Sequence, residues 1–172
     1  MRIWYDTSWA TEPMRRYCVD RPDWINYYFG LSQCASARSL DPSTKVGCFI
    51  VDRNYRPLGF GYNSFPYGLQ DNLLPLTRPE KYAWMIHAER NAISNCLIKP
   101  DNAIAFVTRH CCFDCILHLY GNGVTEVYMN PSKVHSFTEE QEKNFNLFEK
   151  MTKEKFTIHR IVPDLSWCKG VL

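Results

Sequence analysis

The chain has 172 residues, 45% of them hydrophobic and 22% charged, the balance of an ordinary globular domain long enough for one core. A formal net charge of +2 argues against binding nucleic acid by charge alone. No apolar run approaches the roughly 20 residues needed to cross a bilayer, and residues 1–20 mix charges with aromatics around no apolar signal core, so a cytoplasmic location is expected.

Residues 1–22, which carry Trp4, Tyr5 and Trp9, read as an irregular extension. Asp23 follows Pro22 as a helix cap, and Trp24, Tyr28, Leu31 and Ala35 then recur at helical spacing in a helix that runs to about residue 39. Residues 46–51 are a compact β-branched run, 52–57 supply turn residues and 58–62 make a second strand, which together predict a hairpin. A long loop follows over 63–86 with Pro66, Gly68, Pro75 and Pro79, and a loop of that length in a compact domain is more often functional than idle. Residues 87–96 read as a helix, 103–108 as a strand and 112–120 as a helix stopped by Gly121 and Gly123. The strand at 124–129, the helix at 139–151 and a last strand at 156–162 complete the pattern. This order predicts a three-layer α/β/α domain over residues 23–163, with a mixed five-stranded sheet covered by helices on both faces and a tail at 164–172.

The chemistry is carried by His87-Ala88-Glu89 and Cys112-Phe113-Asp114-Cys115. One imidazole and two thiolates give a tetrahedral zinc three protein ligands and leave the fourth position to water. Cys112 and Cys115, three apart, share one face of a helix's first turn, and positive charge at the two helix starts favours thiolate. Zinc brings the pKa of its water toward about 7, and Glu89, a carboxylate that is not a ligand, is placed to shuttle the proton. This is the pattern of zinc deaminases acting on nucleobases. The competing reading is a structural zinc closed by a fourth ligand, His110 or Cys111; against it, the side chain of Cys111 should point away from the face that Cys112 and Cys115 share.

Eight cysteines suggest metal binding rather than disulfides where CxxC stands opposite HxE. Cys18, Cys34, Cys48, Cys96 and Cys168 read as small buried hydrophobes. His118 reads as a packed helix residue, and His135 and His159 as surface or strand residues.

Three further segments resemble the deoxycytidylate (dCMP) deaminase branch of the cytidine deaminase superfamily. Residues 37–47, Ala-Arg-Ser-Leu-Asp-Pro-Ser-Thr-Lys-Val-Gly, are similar to that family's RSxDPSTxVG stretch. Residues 59–68, Gly-Phe-Gly-Tyr-Asn-Ser-Phe-Pro-Tyr-Gly, resemble its GxGYNGxPxG, and residues 81–93 its KYxxxxHAExNAI. The likeness covers about 24–163. It implies zinc-dependent hydrolysis of dCMP to dUMP and ammonia, which supplies dUMP for thymidylate synthesis. It puts zinc on His87, Cys112 and Cys115, makes Glu89 the proton shuttle, and places Asn63 and the backbone N–H of Ala88 against the substrate.

A nucleotide's phosphate needs donors, and the resemblance puts Arg38 first, with Ser43, Thr44 and Lys45 next. The alternatives are a helix cap for Arg38, a solvated lysine for Lys45 and a turn former for Asn63. The family further implies a homohexamer, with dCTP and dTTP effectors (Mg2+ accompanying the nucleotide) near Ser64, Phe65, Gly68 and Asp71. Ser64 replaces the glycine of YNG, Cys111 the usual proline, Val134 a common tyrosine and Ser132 a common aspartate. The Val134 and Ser132 changes raise a 5-substituted dCMP as an alternative substrate. Another cytosine nucleoside or base, a tRNA base, or a non-catalytic zinc nucleotide sensor are the remaining readings.

Overall fold

The computed structural model describes residues 21–133 and 138–170. Helix α1 spans Trp24–Ser36 and is capped by Asp23, whose carboxylate accepts from the Asn26 N–H at 2.8 Å. Strands β1 (Gly47–Val51) and β2 (Pro57–Tyr62) follow, then α2 (Ala88–Ser94), β3 (Ala103–Val107), α3 (Phe113–Gly121), β4 (Val124–Met129), α4 (Glu139–Met151) and β5 (Thr157–Arg160). The sheet order is β2-β1-β3-β4-β5. The β1–β2 and β1–β3 pairs are antiparallel, whereas β3–β4 and β4–β5 are parallel, so the sheet is mixed as expected.

Side-chain alternation divides the core in two. Cys48, Ile50, Ala105, Val107, Val127 and Met129 face α2, α3 and α4. Val51, Ile104, Phe106 and Tyr128 face α1, which presents Tyr28 and Phe29. The three-layer expectation therefore holds, with α1 on the second face.

Gly61 explains how α2 lies so close to β2. A Cβ there would come within 2.3 Å of the Ala92 nitrogen and 2.5 Å of the Ala88 carbonyl oxygen, so only glycine fits against this helix backbone.

Several boundaries differ from the sequence reading. The first helix ends at Ser36 rather than 39, and the last strand contracts to Thr157–Arg160. His87 and Cys112 occupy cap positions, with extended backbone just outside their helices. The residues expected to form a tail fold back on α1: Asn26 Oδ1 accepts from the Asp164 N–H at 2.8 Å, and the Trp167 ring stacks on Tyr27. The seven described cysteines are free thiols. Cys48 is buried as expected, but Cys34 is exposed and Cys96 and Cys168 are half-buried. His159 lies on β5, with Nε2 3.0 Å from a Glu126 carboxylate oxygen and its ring stacked on Tyr128, and His118 is half-buried on α3. The extension at 1–20, Cys18, Val134 and His135 lie outside the described residues.

Candidate active site

Two helix N-termini create the centre. In α2 the cap residue His87 makes no capping bond with its side chain, which leaves the imidazole available for another partner. In α3 the cap residue is Cys112, whose Sγ accepts from the Cys115 N–H at 3.4 Å. The sheet brings these starts together. His87 Nδ1 lies 3.5 Å from Cys112 Sγ and 3.3 Å from Cys115 Sγ, and the three ligand atoms all fall within 4.8 Å of one another.

Those separations fit zinc. Tetrahedral bonds of about 2.05 Å to nitrogen and 2.3 Å to sulfur put N and S ligands about 3.6 Å apart. Among the described residues no fourth His, Cys, Asp or Glu joins the group, so the competing reading of a site closed by His110 or Cys111 finds no support. Coordination by three residues with an open position is the catalytic pattern.

The electrostatics favour a thiolate at one of the two cysteines. Hydrogen bonding from Cys115 and His87, with the Cys115 N–H, lowers the Cys112 thiol to about 4. Cys115 shares its proton with Cys112 and is pushed upward. The bond to Cys112 likewise raises His87 above the ordinary histidine value.

Glu89, in the first turn of α2, is 4% exposed. Burial pushes its carboxyl up from the usual glutamate value, which suits a group that must accept and return a proton near neutrality. Its side chain hydrogen-bonds Cys111, which is fully buried. Burial, and then the charge of Glu89, push the Cys111 thiol well up.

Above the centre opens a cavity of about 390 Å³, within the size range of small-molecule sites. His87, Ala88, Glu89, Cys112, Asn63 and Thr44 are among the residues that line it. Asn63 is more tightly held than a free substrate contact would be. Its Oδ1 accepts from the Val46 N–H and its Nδ2 donates to the Thr44 carbonyl, both at 2.8 Å.

The other phosphate expectations place differently. Arg38 lines a second cavity of about 510 Å³, because α1 ends before it and the chain turns outward. Ser43 is engaged by Asp41 and Lys81, and exposed Lys45 lines neither cavity. Ser64, Phe65, Gly68 and Asp71 do come together around the second cavity. Ser64 does not adopt positive φ; it forms an antiparallel bridge with Ile86, so serine costs nothing there.

Sequence reasoning assigned no role to Asp41, Arg78, Lys81 or Arg109, all of which line the first cavity. Lys81 Nζ donates to both Asp41 carboxylate oxygens and to Ser43 Oγ, each at 2.7 Å. Burial alone would raise the Asp41 carboxyl, but hydrogen bonds from Lys81, Ser43 and Thr44 outweigh it and hold the group below the ordinary aspartate value. Their presence in two motif stretches was the available signal for Asp41 and Lys81. Nothing local marked Arg78 or Arg109.

Residues 22–130 match the family model described as the cytidine and deoxycytidylate deaminase zinc-binding region. The chain belongs to this deaminase family. The mouse deoxycytidylate deaminase is 33% identical over 132 residues, covering 71% of this chain and 74% of its own. The human deoxycytidylate deaminase is 31% identical over the same coverage. In fold, the chain is similar to the dCMP deaminase of cyanophage S-TIM5 in complex with dCMP and dUMP, with a TM-score of 0.62, 21% identity, and coverage of 82% of this chain and 98% of that one. The family's zinc-binding region and the three converging donors together identify the deaminase metal as Zn2+. No helix among the described residues is long and apolar enough to cross a membrane.

Proposed function

We propose that this protein hydrolyses deoxycytidine 5′-monophosphate to dUMP and ammonia. The observation that carries this reading is the convergence of His87, Cys112 and Cys115 beside the buried carboxylate of Glu89 at the base of one cavity. The motif stretches and the deoxycytidylate deaminase relatives support the nucleotide substrate.

His87, Cys112 and Cys115 would hold the zinc, which supplies an acidified water as nucleophile. Glu89 takes the proton released as that oxygen attacks C4 and delivers it to N3 of the ring. It then carries the proton of the new C4 hydroxyl to the exocyclic amine; the C4–N bond breaks, ammonia leaves and a C4 carbonyl remains. The raised proton affinity of Glu89 suits both halves of this transfer. The Ala88 N–H has no intrahelical acceptor, because it belongs to the first turn of α2, and it is offered to the ring carbonyl. Asn63 holds the entrance to β1 in place, and its Oδ1 retains a second lone pair for a sugar hydroxyl.

The same reading assigns the second cavity to a dCTP or dTTP effector, with Mg2+ on its phosphates, in a homohexamer. The grouping of Asp71 and Arg38 with Ser64, Phe65 and Gly68 supports it.

The test is ammonia release from zinc-loaded protein over dCMP, deoxycytidine and cytosine, with Glu89→Gln alongside. Wild type should prefer dCMP, and Glu89→Gln should keep its zinc while turnover falls at least about 100-fold. Normal dCMP turnover by Glu89→Gln would refute the catalytic assignment, and preference for an unphosphorylated compound would refute the nucleotide.

A further inference from the structure

The cavity above the zinc ligands carries charge that deamination at C4 does not use. Glu89 lies at its base, and the negative charge of Asp41 is matched by Lys81. Arg78 and Arg109 are left over, one on the loop before α2 and one just after β3. Among the described residues, neither guanidinium forms an ion pair with a carboxylate. Arg78 donates to the Thr44 hydroxyl at 2.8 Å, and its guanidinium sits 5.9 Å from the centre of the Tyr82 ring. Burial, then the charge of Arg78, lowers Arg109 from the ordinary arginine value, so the two cations feel one another.

Two cations directed at one cavity without an acidic partner repel each other, and a dianion between them removes that cost. The geometry points to Arg78 and Arg109 as a two-guanidinium clamp for the 5′-phosphate, through which this cavity selects a nucleoside monophosphate over the nucleoside. This inference rests on the cytosine-deaminase reading of the centre and goes beyond it, since neither arginine lies in the three stretches that carry the family likeness.

The clamp suits phosphate by charge and by shape. Two positive charges match the roughly two negative charges of a monophosphate, and a planar guanidinium can give two parallel N–H donors to its oxygens. Lys81 is excluded from this role, because its ammonium protons go to Asp41 and Ser43. Thr44 accepts from Arg78 and keeps its own hydroxyl proton for a phosphate oxygen.

The experiment compares zinc-loaded wild type with Arg78→Leu, Arg109→Leu, Arg109→Lys and the Leu double variant, with Arg56→Leu on a remote turn as a charge control. Ammonia release is measured on dCMP and on deoxycytidine, and dUMP binding is measured by calorimetry at two salt concentrations. Loss of a charged hydrogen bond should lower kcat/KM for dCMP roughly 10- to 100-fold in each Leu variant, with dUMP affinity falling in parallel. Turnover of deoxycytidine should stay within about threefold of wild type, and Arg109→Lys should recover part of the dCMP loss. Weaker salt dependence of dUMP binding in the Leu variants is also expected. Equal losses on both substrates, or undiminished dUMP affinity, would overturn the clamp. Should wild type release ammonia from neither compound, the deaminase reading fails, and the dUMP arm still decides the clamp by itself.

Discussion

Replacing Lys81 with methionine should destabilise the protein far more than its position on a loop suggests. Lys81 is 1% exposed and Asp41 3%, and the two are joined by contacts of 2.7 Å. Methionine keeps most of the apolar stem but strands a buried carboxylate, which costs about 3–5 kcal/mol. At about 2–4 °C per kcal/mol for a protein of this size, Tm should fall by roughly 6–20 °C. Pairing the change with Asp41→Asn removes the stranded charge and keeps an acceptor for the Ser43 and Thr44 N–H groups, so the double variant should recover more than half of the loss. The pH dependence has a definite sign. In wild type the depressed Asp41 contributes stability above its unfolded pKa, and this is lost as pH falls through its lower folded value. In Lys81→Met burial is no longer opposed by the ammonium and Asp41 titrates higher, so the gap between the two proteins should narrow on acidification from pH 8 to pH 5. Thermal unfolding of zinc-loaded protein across that range measures both effects. A Tm shift under about 2 °C at neutral pH, or additive single-variant losses, would refute the reasoning.

Cys115→Ser should lose zinc and ammonia release together, because Cys115 supplies one of the three ligand atoms found among the described residues; metal analysis after gel filtration checks it. Removing zinc from wild type with a chelator should lower Tm, and adding the metal back should restore it, by the linkage between binding and folding. Gly61→Ala should lower Tm by several degrees, since a Cβ 2.3 Å from the Ala92 nitrogen pushes α2 off the sheet and overpacking costs about 1–3 kcal/mol. The same variant should bind zinc more weakly, because α2 carries His87 at its start.

The metal centre was legible because its code is local. His87 and Glu89 stand two apart and Cys112 and Cys115 three apart, and each pair needs only a helix start to become a geometry. The first strand was legible for a similar reason: a compact β-branched run at 46–51 is a local signal, and the structure buries β1 on both faces. Arg38 shows where local reading stops. Its neighbours in the stretch, Asp41 and Thr44, do line the first cavity, but the helix ends at Ser36 and Arg38 turns to the second. Proximity in sequence did not bring it to the first cavity.

Arg78 and Arg109 were invisible for the complementary reason. Arg109 follows β3 in the middle of the sheet, and Arg78 belongs to the loop that must travel from β2 to α2. They meet only because β2 and β3 flank β1, which Lys81 and Asp41 reinforce by tying that loop to the segment entering β1. On the proposed clamp, the reaction is specified within single helix turns and the choice of substrate by the crossing of distant loops. Changes such as Lys81→Met should for this reason disturb the discrimination of dCMP from deoxycytidine before they release the zinc.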